Sequence, residues 1–113
     1  MELQYHELEN GIRLIRLAGR LDIAGAGEIE TRLTESCAGD NTRVVIDLSA
    51  VDFLASSGIR LLTLTAQSVV RHGGRIVLLN PSPEVHHVLE VTGIPSVMPI
   101  HSRMEAAEAA LLA

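Results

Sequence analysis

The stretch that decides the fold is Val44-Val45-Ile46-Asp47-Leu48-Ser49-Ala50-Val51-Asp52-Phe53-Leu54-Ala55-Ser56-Ser57-Gly58-Ile59-Arg60. Its β-branched start reads as a buried strand over Arg43 to Leu48, with Asp47 near its end and a short polar turn behind it. Ser56-Ser57-Gly58 then opens directly into an apolar-periodic helix. Ile59, Leu62, Ala66, Val69 and Val70 form the inward stripe, and Arg60, Thr63, Gln67 and Arg71 the outward one. Leu61 and Leu64 widen the apolar surface at its flanks. This order puts a serine hydroxyl at a helix N-terminus, where unpaired N–H groups and the positive dipole end favour an anion.

Working outward, residues 3 to 8 and 12 to 18 read as strands joined at Glu9-Asn10-Gly11, a hairpin-type turn. Ile12, Leu14, Ile15 and Leu17 are too apolar for a one-sided strand, so both faces are expected to be covered. A helix begins at Asp22 or a neighbour, carries Ala26, Ile29, Leu33 and Cys37 on one face, and stops at Gly39-Asp40-Asn41. Gly73-Gly74 ends the helix after Ser57, and Arg75 to Asn80 forms a fourth strand. Ser82-Pro83 starts a third helix that Gly93 closes, a short strand lies near Val97 to Ile100, and Ser102-Arg103-Met104-Glu105 reads as a capping box.

The order ββαβαβαβα predicts an α/β fold: a mixed sheet of four or five strands, mostly parallel in its second half, with about four helices. Leu14, Leu17, Ile29, Leu33, Val45, Ile46, Ile59, Leu62, Val77, Leu78 and Leu89 are expected in a single core. A length of 113 residues suits one domain, 1–113.

Composition excludes several functions. All nine basic residues are arginine, so no P-loop lysine or Schiff-base lysine is present. A receiver domain, the nearest architectural rival, pairs a strand-end aspartate with a later lysine, and only Asp47 is available here. Net charge of −5 with scattered arginines argues against nucleic acid as a partner. No apolar run approaches the ~20 residues needed to span a bilayer. The first residues lack a signal peptide's basic and apolar regions, and Cys37 has no second cysteine to pair with, so a cytoplasmic protein is expected.

The segment D-L-S-x-V-x-F followed by S-S-G resembles the STAS domain of bacterial anti-sigma factor antagonists. Leu17-Ala18-Gly19-Arg20-Leu21-Asp22 is similar to that family's second strand and the loop into its first helix. Arg75 to Asn80 resembles its fourth strand, and Val91-Thr92-Gly93-Ile94 the end of its third helix, so the likeness spans roughly residues 1 to 110. It implies the STAS fold and a serine, matched by Ser57, that a partner kinase phosphorylates. Phosphorylated members commonly carry Asp just before the serine pair, where this chain has Ala55.

The resemblance implies a non-enzymatic switch. The dephospho form would bind an anti-sigma factor that is itself a serine kinase using ATP, releasing a sigma factor, and a phosphatase would reset the phospho form. Asp22, Asp47, Ser56 and Gly58 are expected to support the phosphorylation loop, and Phe53, Leu54, Arg60 and Thr63 to meet the partner. Two other readings stand beside it: a constitutive, unmodified STAS module serving a transport or signalling complex, and a small-ligand domain using the loops near Asp22, Asp47 and Ser57.

The plainer readings of the same residues are capping and turn formation for Asp22, Asp47 and the serines. Ala55-Ser56-Ser57-Gly58 is not the G-x-S-x-G of a serine hydrolase. His86 and His87 point about 100° apart on a helix, and His86 with Glu90 is two ligands short of a metal site. No metal or cofactor is expected, and Cys37 reads as a core residue.

Overall fold

A computed structural model describes all residues from 1 to 113. The chain opens with β1 (Glu2–Glu7) and β2 (Arg13–Leu21), an antiparallel hairpin in which Glu7 faces Arg13 and Leu3 faces Leu17. Asp22 then caps α1 (Ile23–Cys37), its Oδ1 accepting the Gly25 N–H at 2.8 Å. Next come β3 (Arg43–Leu54), α2 (Ser56–Arg71), β4 (Arg75–Leu79) and α3 (Pro83–Val91). A 3-10 turn (Ile94–Ser96), β5 (Ile100–His101) and α4 (Met104–Leu112) complete the chain. The sheet order is β1-β2-β3-β4-β5, antiparallel at the first pair and parallel at the others. No helix is long and apolar enough to cross a membrane.

Two cores form, where one was expected. The sheet separates them, because successive strand residues point to opposite faces. Val44, Ile46 and Leu48 join Ile29, Leu33, Leu62, Ala66 and Leu89 in the larger cluster beneath α1, α2 and α3. Val45 and Val77 join Ile12, Leu79, Ala107 and Leu111 in a smaller cluster beneath α4. Leu14 and Ile59 only border these clusters, and Val70 is exposed. Thr65 takes an inward place on α2 by donating its hydroxyl to the Leu61 carbonyl at 2.8 Å. Cys37 is buried as expected, and burial pushes its thiol up to about 11 against the opposing pull of Arg13.

β3 is twice as long as expected. The polar run after Leu48 is no turn: Ala50, Val51, Phe53 and Leu54 continue to pair with Ala18, Gly19, Arg20 and Leu21. Two bulges absorb the extra residues, one between Asp47 and Ala50 and one between Val51 and Phe53. Asp47 shapes the first by accepting the Ser49 N–H at 2.9 Å. Near the chain's end, Ile94–Ser96 winds into a 3-10 turn about Pro95, which delays β5 to Ile100. Arg103, not Ser102, occupies the N-cap of α4, so the capping box does not form.

Asp47 is buried in mid-strand with its Oδ2 accepting from Arg16 Nε at 3.0 Å. Burial raises its pKa, but the bonds from Ser49 and Arg16 outweigh that and hold the carboxyl below its ordinary range. A depressed folded value means its stabilisation is complete above the unfolded value near 3.9 and is lost as pH falls through the folded one. In urea titrations, the midpoint advantage of wild type over Asp47→Asn should therefore shrink as pH falls below about 4. An advantage unchanged over that range would disprove this account. Val45→Asp places an unpaired charge against Ala107 and Leu111, at a cost comparable with the whole ~5–15 kcal/mol stability of a domain. It should abolish the cooperative thermal transition, and a wild-type melt would refute the position of β3.

Candidate functional site

The ends of β2 and β3 lie side by side, and each feeds a helix. Leu21 pairs with Leu54, and the Ala55 N–H donates to the Leu21 carbonyl at 3.0 Å. Helix α2 therefore starts tied to the strand that leads into α1. Gly58 lets the two approach, since a Cβ there would stand 2.6 Å from Leu21 Cγ, 2.7 Å from the Leu21 oxygen and 2.9 Å from Leu54 Cδ1. The backbone that needs the missing side chain is the chain's own.

Neither serine is the N-cap. Ala55 holds that position with extended backbone and offers no side-chain acceptor. Ser56, Ser57 and Gly58 are the first three helical residues, and their N–H groups have no acceptor in the chain. Ser56 is exposed. Ser57 turns inward, its Oγ buried and without a hydrogen-bond partner. It lines a cleft between the two helices, with Ile23, Gly27 and Glu30 from α1 and Arg60 and Leu64 from α2.

Around this cleft the sequence-expected residues divide. Phe53 is 41 % exposed beneath the Arg20 guanidinium, whose centre lies 4.2 Å from the ring centroid. Asp22 holds Arg20 at 3.4 Å while capping α1, and the Gly25 N–H, with Arg20, keeps its carboxyl below the ordinary range. Arg60 is exposed and has neither a carboxylate within 4.0 Å nor a hydrogen bond. Thr63 is half-buried, donates to the Ile59 carbonyl at 2.8 Å, and lies about 120° around the helix from Ser57.

Two assignments need correction. Leu54 is 6 % exposed and packs in the core against the start of α2, so it offers a partner nothing. Asp47 is not at a strand end: six residues of β3 separate it from Leu54, a span on the order of 20 Å, and it braces a bulge.

Sequence reasoning missed Ile23, 81 % exposed, Leu64, 50 % exposed, and Gly27, beside which a Cβ would meet nothing within 4 Å. Periodicity counts Ile23 with Ala26 and Ile29 on the inward stripe, so only the fold reveals its exposure. A glycine at position 27 within a helical pattern was the one available signal.

This is a small mixed-sheet binding domain whose surface converges on two strand-to-helix junctions. The STAS domain family model matches residues 6–107, and the chain belongs to that family of anti-sigma factor antagonists. BtrV of Bordetella bronchiseptica, named for the same class, is 33% identical over 101 residues, covering 89% of this chain and 87% of BtrV. The anti-sigma factor antagonist STAS structure from Planctomyces limnophilus superposes with a TM-score of 0.86 at 27% identity, covering 96% of both chains. The phosphorylated form of Bacillus SpoIIAA gives a TM-score of 0.71 at 25% identity, covering 96% of this chain and 99% of that one. Proteins of this class act by binding, not by catalysis.

The two glycines make opposite predictions. Alanine in a helix interior normally stabilises by up to about 1 kcal/mol over glycine, and Gly27→Ala should do so. Gly58→Ala should instead destabilise by about 1–3 kcal/mol, because the Leu21 backbone must move. Chemical denaturation of both variants tests the assigned packing; the same sign for both would overturn it.

Proposed function

We propose that this single domain is an anti-sigma factor antagonist switched by phosphorylation of Ser57. The observation that carries the reading is Ser57 in the first turn of an uncapped helix, in a cleft with the exposed apolar Ile23 and Leu64, the cation Arg60 and the carboxylate Glu30. The family and its phosphorylated relative SpoIIAA support it. In the dephospho form, Phe53, Ile23, Leu64 and Arg60 supply apolar area and one cation to an anti-sigma factor, with Thr63 at the edge. Capture of that factor frees a sigma factor. Both events belong in the cytoplasm, where ATP and RNA polymerase are.

The anti-sigma factor is also the kinase in this reading. Rotation of χ1, a fast motion for a half-exposed side chain, brings Ser57 Oγ out of its buried position. The oxygen then bonds to the γ-phosphorus of ATP, its proton leaves, and ADP departs. The added charge of about −1.5 to −2 must be desolvated at a packed interface, which expels the partner. A coupling of about 3 kcal/mol suffices for roughly 150-fold weaker binding. A phosphatase restores the first state.

Two observations favour a second reading, a constitutive module of a transport or signalling complex. Ser57 Oγ is retracted, and Ala55 gives a kinase no acidic determinant beside it.

Ser57→Ala should keep partner binding and lose no stability, since it removes an unsatisfied buried hydroxyl. Ser57→Asp should fold, because a carboxylate suits a helix N-terminus, and bind at least tenfold more weakly. Incubation with ATP and the organism's anti-sigma kinase, followed by phosphopeptide mapping, should place phosphate on Ser57 in wild type and in Ser56→Ala. No phosphate at all, with Ser57→Asp binding like wild type, would leave the constitutive module standing.

A further inference from the structure

We propose that Arg60 is the internal counter-ion of a phosphate on Ser57, so that modification also withdraws Arg60 from the partner surface. The inference rests on the phosphoswitch reading above and adds how the switch is built in this chain. It starts from the buried Oγ. No donor meets that atom, and a dianion could not be desolvated there, so a phosphate must swing outward into the cleft between α1 and α2. Residues at i and i+3 are neighbours on a helix surface, and Arg60 lines the same cleft.

Arg60 is also uncommitted. Arg13, Arg32 and Arg75 hold backbone carbonyls, Arg16 holds Asp47, and Arg20 is engaged by Phe53 and Asp22. Arg60 has none of these ties, so its fork can turn to phosphate without breaking another contact. Ala55 contributes by omission: an aspartate at the N-cap would take up the first-turn N–H groups and stand as a like charge beside the phosphate. The opposing charges are Glu30 of α1, which lines the cleft, and Asp22 at the α1 N-cap, partly neutralised by Arg20. Arg60 therefore serves two anions in turn, a partner's acidic group before modification and the phosphate afterwards.

The test installs phosphoserine at position 57 during translation, so it needs no kinase. The phosphate's second ionisation is followed by ³¹P NMR against pH at low salt. In the otherwise wild-type chain it should lie about half a unit below the ~6 of free phosphoserine, the order expected of a solvent-exposed pair. Arg60→Gln should return most of that shift, Arg60→Lys should keep part of it, and Glu30→Gln should deepen it. Sodium chloride at about 0.5 M should shrink it in every variant. Unphosphorylated Arg60→Gln should melt like wild type, which separates a charge effect from a structural one. Identical titrations for wild type and Arg60→Gln would overturn the inference. Kinase mapping that finds no phosphate on Ser57 would instead overturn the proposed function, whatever the NMR shows.

Discussion

The carbonyl oxygen of Leu21 is the point on which this molecule turns. It accepts the Ala55 N–H, and it stands where any side chain on residue 58 would collide with it. One atom therefore fixes the separation of two parallel strand ends, the start of α2 and the path into α1. A second close approach sits one step away, where a Cβ on Gly25 would run into the Arg20 carbonyl. With both helix starts pinned against β2, the cleft between them has a set width. The first-turn N–H groups of α2 then point in a set direction.

Electrostatic support for two of the helix C-termini comes from the strands, and arginine suits the task. Neither α1 nor α4 carries a basic residue in its last turn. Arg13 of β2 reaches across to the Ser36 and Ala38 carbonyls at 3.1 and 2.6 Å, and Arg75 of β4 to those of Ala110 and Ala113 at 3.2 and 2.6 Å. Each places positive charge where a helix dipole is negative and satisfies orphaned carbonyls besides. A planar guanidinium has several fixed donors for such work, which a single ammonium group lacks. Arg32 does the reverse from α1, donating at 2.9 Å to Leu3 on the edge strand β1 and occupying an acceptor that another strand could use.

Much of this was legible in the sequence because its signals are local. The helix start at Asp22, the cap at Ser82 and the positive φ of Gly73 depend on residues within one turn of each other. The length of β3 was not legible, since Ser49 and Asp52 are turn formers by themselves and only pairing with distant β2 keeps them extended. The division of the core failed for a related reason: alternation shows that Val44 and Val45 point apart but not that α4 returns to cover the second. At the candidate site, the motif singled out Ser57, Phe53 and Arg60. It could not reveal that Leu54 turns inward, or that Ile23 comes out beside Arg60 from a helix earlier in the chain.

The two bulges of β3 act as phase shifters. Up to Leu48 the even-numbered residues face the larger core; after the first bulge the inward residue is Val51, and after the second it is Leu54. A regular strand would instead have driven Asp52 into the hydrocarbon interior. The shifts come as a pair, so their sum restores the original parity by the time the chain reaches Ala55. Each bulge sets two outward residues, Ser49 with Ala50 and Asp52 with Phe53, against the beat of the pleat. Loss of one residue from either pair would restore plain alternation there and still leave Val51 and Leu54 inward, so the strand can shorten at its bulges without turning its apolar face to water.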